Sequence, residues 1–223
     1  MPNNSLNYHN CKCNIDVMHL QSEDIPLVAR LYKRSFQNHF LGHMGYKFLE
    51  LFISEFVKSD ANFGYAAKYK NEVIGFILAT TSDNPFREFY RDNFMMLVYL
   101  TISRFLKDSF IRRHITKRLG HVHVALKALF SFSVKDNNSG EKREVCLSRQ
   151  PRLLALAVDR SYRGLGVANE LTAEFCKEMK ELGFKKVGLS ALPWNQRAIS
   201  FYIKDGWKKE GASEASISFS RLL

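Results

Sequence analysis

The chain has 223 residues, 46% of them hydrophobic and 25% charged, which is enough for one domain with a sizeable core. Its formal net charge of +11, from 33 Lys and Arg against 22 Asp and Glu, calls for an anionic partner: a phosphate-bearing ligand, a nucleic acid or an acidic membrane surface. Nothing about the four cysteines, Cys11, Cys13, Cys146 and Cys176, suggests a disulfide framework, and Cys11-Lys12-Cys13 is too tightly spaced for a zinc knuckle.

The first eleven residues are polar and read as a loose arm, without the apolar run of a secretory leader. Ile15 and Val17 alternate with polar neighbours, which predicts a short strand over 14–19. Ser22 ahead of Glu23 and Asp24 is a helix start with acids in the first turn. Ile25, Val28, Leu31 and Tyr32 then mark one helical face up to about Phe36. A linker from Gln37 to His43 holds His39 and His43, and a second helix, rich in aromatics, runs through Tyr46, Phe48, Leu49, Phe52, Ile53 and Phe56. Residues 64–70 and 72–81 read as a hairpin turning at Asn71.

Between Pro85 and Phe132 the apolar residues fall at helical spacing and are interleaved with cations. Seven Lys and Arg face a single acid, Asp108, between Thr101 and Phe130. The expectation is a basic pair of amphipathic helices inserted into one domain that spans 1–223. They either turn a solvated charged face outward or meet an acidic membrane surface or partner. His121 and His123 are two residues apart, wrong for one helical face, and no metal is expected. No run reaches the ~18 apolar residues of a membrane-spanning helix. A charged loop follows from Lys135, and Val145 to Leu147 resumes a strand.

The stretch from Arg152 to Leu182 carries the chemistry. Leu153 to Val158 has the length of a buried strand, and Asp159-Arg160-Ser161-Tyr162 breaks it. Two glycines follow in Arg163-Gly164-Leu165-Gly166-Val167-Ala168, and then Leu171, Thr172, Phe175, Met179 and Leu182 recur at steps of three and four. Strand, glycine loop and helix in that order can cradle a diphosphate. The first N–H groups of a helix have no internal partner, the dipole is positive there, and glycine lets a ligand approach the backbone. The same glycines equally suit a plain strand-to-helix turn. A Walker loop is excluded because no Gly-Lys-Ser/Thr follows, and Asn169 sits where a dinucleotide fingerprint needs a small residue. Downstream, Lys186 to Leu192 alternates as a strand that Pro193-Trp194 ends. Asn195, Ala198 and Tyr202 share a helix face closed by Asp205-Gly206, and two last strands lie over 207–209 and 215–220.

Arg163, Gly166 and Ala168 match Arg/Gln-x-x-Gly-x-Gly/Ala in register, and the segment Asn195 to Trp207 matches Asn-x-x-Ala-x-x-Phe-Tyr-x-x-x-Gly-Phe. Both resemble the motifs of the GNAT superfamily of N-acetyltransferases. The resemblance covers the last third of the chain closely and the first third loosely. It implies an α/β fold, a mixed central sheet flanked by helices, here with a helical insertion. It implies acetyl transfer from acetyl-CoA, used as co-substrate without a metal, to a primary amine by direct attack in a ternary complex.

Under that resemblance Val158, Arg163, Gly164, Leu165, Gly166, Val167, Ala168 and Asn195 hold the cofactor. Tyr202 is the acid that protonates the departing thiolate, and His39, His43 and Ser190 are candidates on the acceptor side. Leu153 to Val158 holds no carboxylate to act as general base. The acceptor reads as a small molecule such as an amino sugar, against a protein N-terminus or lysine. A non-catalytic CoA-binding module at a membrane surface is the rival of a different class. No nucleic acid is expected as partner, and the setting is expected to be the reducing cytoplasm.

Overall fold

The computed structural model describes residues 15–37, 40–113 and 150–223. The N-terminal arm, His39, the His121 and His123 pair, and the loop and strand expected over 135–147 lie outside them. The strands are β1 (Asp16–His19), β2 (Asn62–Tyr69), β3 (Glu72–Thr80), β4 (Arg152–Val158), β5 (Lys186–Ala191), β6 (Lys208–Ala212) and β7 (Ile217–Leu222). They form one seven-stranded sheet in the order β1-β2-β3-β4-β5-β7-β6. The helices are α1 (Ile25–Ser35), α2 (Phe40–His43), α3 (Tyr46–Lys58), α4 (Arg87–Asp92), α5 (Phe94–Lys107), α6 (Val167–Glu181) and α7 (Gln196–Lys204).

Local chemistry explains several boundaries. Ser22 opens a 3-10 turn, Ser22–Asp24, and α1 starts after it with a proline in its first turn, where an N–H is not needed. The β2–β3 hairpin turns on Lys70 and Asn71, both at positive φ, 49° and 65°, which suits the twist of the two strands. In the inserted region α5 runs unbroken to Lys107. Asp108 then caps a further helical stretch at 109–113 by accepting the Phe110 N–H at 2.8 Å.

Strand alternation divides the core into two layers. On one face of the sheet α1 and α3 pack over Ala66, Phe76, Leu78 and Ala157. On the other, α6 and α7 pack over Ile74, Ile77, Ala79 and Leu153. In β4 the alternation slips. Leu154 and Ala155 both face the α1 layer, and the register jumps from Ala79 opposite Leu153 to Leu78 opposite Ala155. Leu154 is thus a bulge, which bends the strand and strengthens its twist.

The bulge coincides with a parting of the sheet. β4 and β5 are its one parallel pair, and they are paired only at Arg152 with Gly188 and Leu153 with Leu189. Beyond Leu153, β4 stays with β3 up to Val158, while β5 stays with β7 up to Ala191. A wedge therefore opens between the ends of β4 and β5.

The two helices beside that wedge are tied to each other. α6 lies close on β3: a Cβ added to Gly75 would meet Val167 Cγ1 at 3.0 Å and Leu171 Cδ1 at 3.1 Å. Asp205, at the end of α7, accepts from Asn169 Nδ2 at 2.8 Å and Thr172 Oγ1 at 2.9 Å, both on α6. It also accepts from Trp207 Nε1 at 3.1 Å and Arg221 Nη1 at 3.1 Å. Asp205→Ala strips four donors of one acceptor in a site where the Asp205 side chain is 10% exposed. It should cost about 3 kcal/mol in unfolding free energy, read from the urea midpoint.

Candidate functional site

β4 ends at Val158, and a 3-10 turn, Arg160–Tyr162, leads through the glycines into α6. Asp159 shapes the turn. Its N–H donates to the Ile74 carbonyl at 2.8 Å, and its carboxylate accepts the Ser161 N–H at 3.0 Å. Gly164 and Gly166 have φ of +82° and +84°, the left-handed region. A Cβ on either would meet no atom within 4 Å. Backbone conformation and open space above the chain, the two uses of a glycine weighed from the sequence, coincide at these residues.

The Glu170 N–H donates to the Gly166 carbonyl at 3.0 Å, the first bond of α6. The N–H groups of Val167, Ala168 and Asn169 therefore have no acceptor inside the helix and present the positive end of its dipole. Val167 is buried and anchors the turn, whereas Leu165 is exposed. Arg163 Nε donates to the Val158 carbonyl at 3.1 Å, which fixes the guanidinium over the strand end. Burial, followed by the charges of Arg197 and Arg160, lowers the pKa of Arg163. The cluster thus carries unneutralised positive charge. A cleft of about 220 Å³ lies beside it, lined by Leu31, Arg34, Gln37, Asp159, Arg160 and Arg163. Within that cleft Arg34 pairs with Asp159 at 3.3 Å.

The wedge supplies a second set of donors. Because the Asp159 N–H turns to β3, alternation along an antiparallel strand turns the N–H groups of Val158 and Leu156 the other way. On that side β5 has already departed. Val158 thus keeps its N–H available while its carbonyl is taken by Arg163.

Asn195 caps α7, its Oδ1 accepting the Ala198 N–H at 3.3 Å. Tyr202, one turn from the end of α7, is 7% exposed, and its ring packs on Trp207 and Phe219 at centroid distances of 5.9 and 6.0 Å. Burial, then the charge of Asp205, raises the pKa of its phenol. The hydroxyl makes no hydrogen bond among the described residues. Ser190 is exposed on the part of β5 beyond the parting, where its Oγ accepts from Arg152 Nη2 at 2.9 Å.

His43 ends α2. Its Nδ1 lies 3.1 Å from Asp108 Oδ2, and its ring stacks on Phe110 at 4.0 Å and 10°. The imidazole so joins α2 to the residues that follow α5. The structure brings the cradle, Val158 and Arg163 together through one continuous loop, and Asn195 and Tyr202 through one helix. Sequence reasoning passed over Leu156, Arg34 and Arg197, and it read Asp205 only as the end of a helix. Leu156 was discoverable, being two residues before Val158 on the same edge of the strand.

Residues 133–207 match the family model described as the Acetyltransferase (GNAT) family. The matched segment contains the cradle and the cap of α7, and it ends at Trp207. The chain thus carries a segment that matches the GNAT acetyltransferase family. Solved structures share the fold. The PaiA N-acetyltransferase of Thermoplasma acidophilum, in complex with coenzyme A, is 16% identical with a TM-score of 0.55, over 94% of this chain and 99% of that one. The ribosomal-protein-alanine N-acetyltransferase of Escherichia coli is 11% identical with a TM-score of 0.53, over 93% of each chain. An aminoglycoside N-acetyltransferase in complex with CoA is 14% identical with a TM-score of 0.55, over 89% and 91%. At such identities the likeness is one of fold. No curated protein matches this chain in sequence.

The His43 contact has a pH signature. Burial works against the Asp108 carboxylate, but the hydrogen bond from His43 and the N–H groups of Phe110 and Ile111 hold its pKa below the ordinary 3.8. A depressed carboxyl stabilises the fold above its unfolded pKa and loses that contribution as pH falls through the folded one. Asp108→Asn should therefore melt below the wild type at neutral pH. The gap between the two melting temperatures should close below pH 3.8.

Proposed function

We propose that this chain moves an acetyl group from acetyl-CoA to the primary amine of a small acceptor, such as an amino sugar, by direct attack in a ternary complex. The observation that carries the reading is the parting of β4 from β5 beside a cationic glycine cradle. The cradle fits the diphosphate of the carrier: open space above Gly164 and Gly166, the outward N–H groups of Val167, Ala168 and Asn169, and Arg163 held in place. The pantetheine arm would enter the wedge, between the freed edge of β4 at Val158 and the Asn195 side-chain amide on α7.

The thioester supplies the activated acyl group. Attack forms the C–N bond and breaks the C–S bond, so charge develops first on the carbonyl oxygen and then on sulfur. The free N–H groups of Leu156 and Val158 would stabilise the oxyanion without reorganising. Tyr202 would give its proton to the leaving thiolate. Its raised pKa keeps it in the protonated form that this role requires. The attacking nitrogen loses a proton to water.

His39 and His43, in the connection between α1 and α3, and Ser190 on the open edge of β5 would line the acceptor side. A small acceptor such as an amino sugar on a nucleotide carrier suits the basic character of the chain, whose formal net charge is +11. The printed acceptors of the similar structures differ, an aminoglycoside and a ribosomal-protein alanine, so they do not choose between classes. A reducing, cytoplasmic setting fits the buried free thiol of Cys176, whose pKa burial pushes up to about 11.

Thiol release from acetyl-CoA, measured across a panel of amino sugars, polyamines and N-terminal peptides, tests the reading. Turnover with a small amine supports it, and turnover with peptides alone replaces the small acceptor with a protein. CoA binding without any turnover would leave only a carrier-binding module. Tyr202→Phe should lower kcat by about 10²- to 10³-fold with CoA binding unchanged. The wild-type rate should show no fall that depends on Tyr202 up to pH 10, the ordinary phenol value. Gly166→Val places a branched side chain at a left-handed position and over the cradle. It should weaken CoA binding about tenfold or more by calorimetry, with an unfolding cost of about 2 kcal/mol.

A further inference from the structure

Like charges repel, and a fold gathers them at one place only where something offsets the cost. Three arginines gather at the mouth of the wedge. Burial, then the charges of Arg197 and Arg160, hold the pKa of Arg163 down, and only Asp159 opposes them. Asp159 is already satisfied elsewhere: Arg34 pairs with it at 3.3 Å, and it accepts the Ser161 N–H at 3.0 Å. Arg160 lines the cleft beside Arg163, on the α1 side of the cradle. Arg197 comes from the opposite side, in the first turn of α7, two residues after the Asn195 cap.

These placements do nothing for the fold. The side chains of Arg160 and Arg197 are exposed and make no hydrogen bond or ion pair among the described residues. Arg197 stands at the positive end of its own helix, where a cation is unfavourable. Glu170, the acid in the first turn of α6, is exposed and is not among the charges that act on Arg163, so it does not neutralise the group.

The positive charge exceeds what a diphosphate takes. The diphosphate of the carrier bears two negative charges. Arg160, Arg163 and Arg197 bring three positive ones, and the start of α6 adds about 0.5. About 1.5 remain over, which matches a phosphate monoester, roughly −1.5 to −2 at neutral pH. Coenzyme A carries such a group, the 3′-phosphate of its ribose, one sugar away from the diphosphate.

We propose that Arg160 and Arg197, on either side of Arg163, form a second phosphate subsite that holds the 3′-phosphate of the carrier, apart from the glycine cradle. The chain therefore selects coenzyme A over 3′-dephospho-coenzyme A. The inference rests on the carrier-binding reading above and adds a requirement which that reading does not contain. Guanidinium suits the task, because it stays charged at any working pH and offers paired N–H donors to phosphate oxygens. A phosphate held between the two side chains ties the turn after β4 to the start of α7, across the mouth of the wedge. A phosphate on the acceptor has the same chemistry. The carrier's own is favoured because covalent bonds fix it close to the diphosphate, and the two arginines flank the residue that meets the diphosphate.

Calorimetric titration of the full chain with coenzyme A and with 3′-dephospho-coenzyme A tests the proposal. The wild type should bind coenzyme A about tenfold or more tightly, and the gap should narrow as salt is raised. In Arg160→Gln combined with Arg197→Gln the two ligands should bind within about twofold of each other. Phosphorus NMR reads the same contact directly. The 3′-phosphate, whose second proton ordinarily leaves near about pH 6, should stay dianionic to lower pH on the wild type and not on the double variant. Without ligand the double variant should melt no lower than the wild type, because only repulsion is lost. Equal affinity of the wild type for both ligands overturns the proposal and leaves the carrier reading standing. So does a preference for coenzyme A that survives in the double variant. A double variant that melts well below the wild type assigns the arginines to the fold and overturns it as well. Glucosamine 6-phosphate that binds the wild type but not the double variant, while the two carriers bind alike, moves the subsite to the acceptor and overturns it too. Binding of neither carrier overturns the carrier reading and this inference together.

Discussion

Two neighbouring strands that stop bonding to each other leave backbone donors and acceptors that need other partners. β4 and β5 part in this way after Leu153, two residues into their parallel pairing. A bulge at Leu154 turns β4 aside while its other edge stays bonded to β3. The carbonyl of Val158 is met by Arg163, and the N–H groups of Val158 and Leu156 are left facing the wedge. Everything proposed for the site depends on that vacancy in the hydrogen-bond ladder. A sheet with β4 and β5 paired to their ends would have neither room for an acyl group nor a donor to aim at it.

The rest of the fold holds the walls of the wedge at fixed separation. Gly75 lets α6 settle against β3, and this sets the height of the cradle above the sheet. Asp205, at the end of α7, gathers donors from α6, β7 and Trp207 onto one carboxylate. Tyr202 stands one turn before it on α7, among aromatic rings. The burial that packs this ring against the core also keeps its phenol protonated. The glycine loop, the freed edge of β4 and Tyr202 belong to three different elements, and the Asp205 network joins two of them.

The inserted region obeys a different logic. Its helices face the α1 layer, where His43, Asp108 and Phe110 fasten α2 to the residues beyond α5. Charges placed between apolar residues suggested helices with one wet face. In α5 the inner side instead takes Leu97, Leu100 and Arg104, and the outer side keeps Met95, Tyr99, Ile102 and Leu106. Arg104 is folded inward, and four large hydrophobics are outside. Periodicity fixes which residues share a helix face but not which face meets the protein.

The cradle was legible in the sequence because its demands are local. A left-handed glycine next to a helix start, a buried strand before it and an amphipathic helix after it all appear within a few turns of chain. The hairpin at Asn71 was legible for the same reason: dihedrals and short spacings set it. The bulge at Leu154, the parting of β4 from β5, the four-donor grip of Asp205 and the inward turn of Arg104 were not. Each depends on which segments lie side by side, and the partners are far apart in the chain, as Asn169 is from Asp205. The sequence by itself determined what kind of loop this chain presents to an anion. Tertiary structure decided what the loop faces, because strand divergence and helix burial are set by packing between segments, which short-range spacing does not encode.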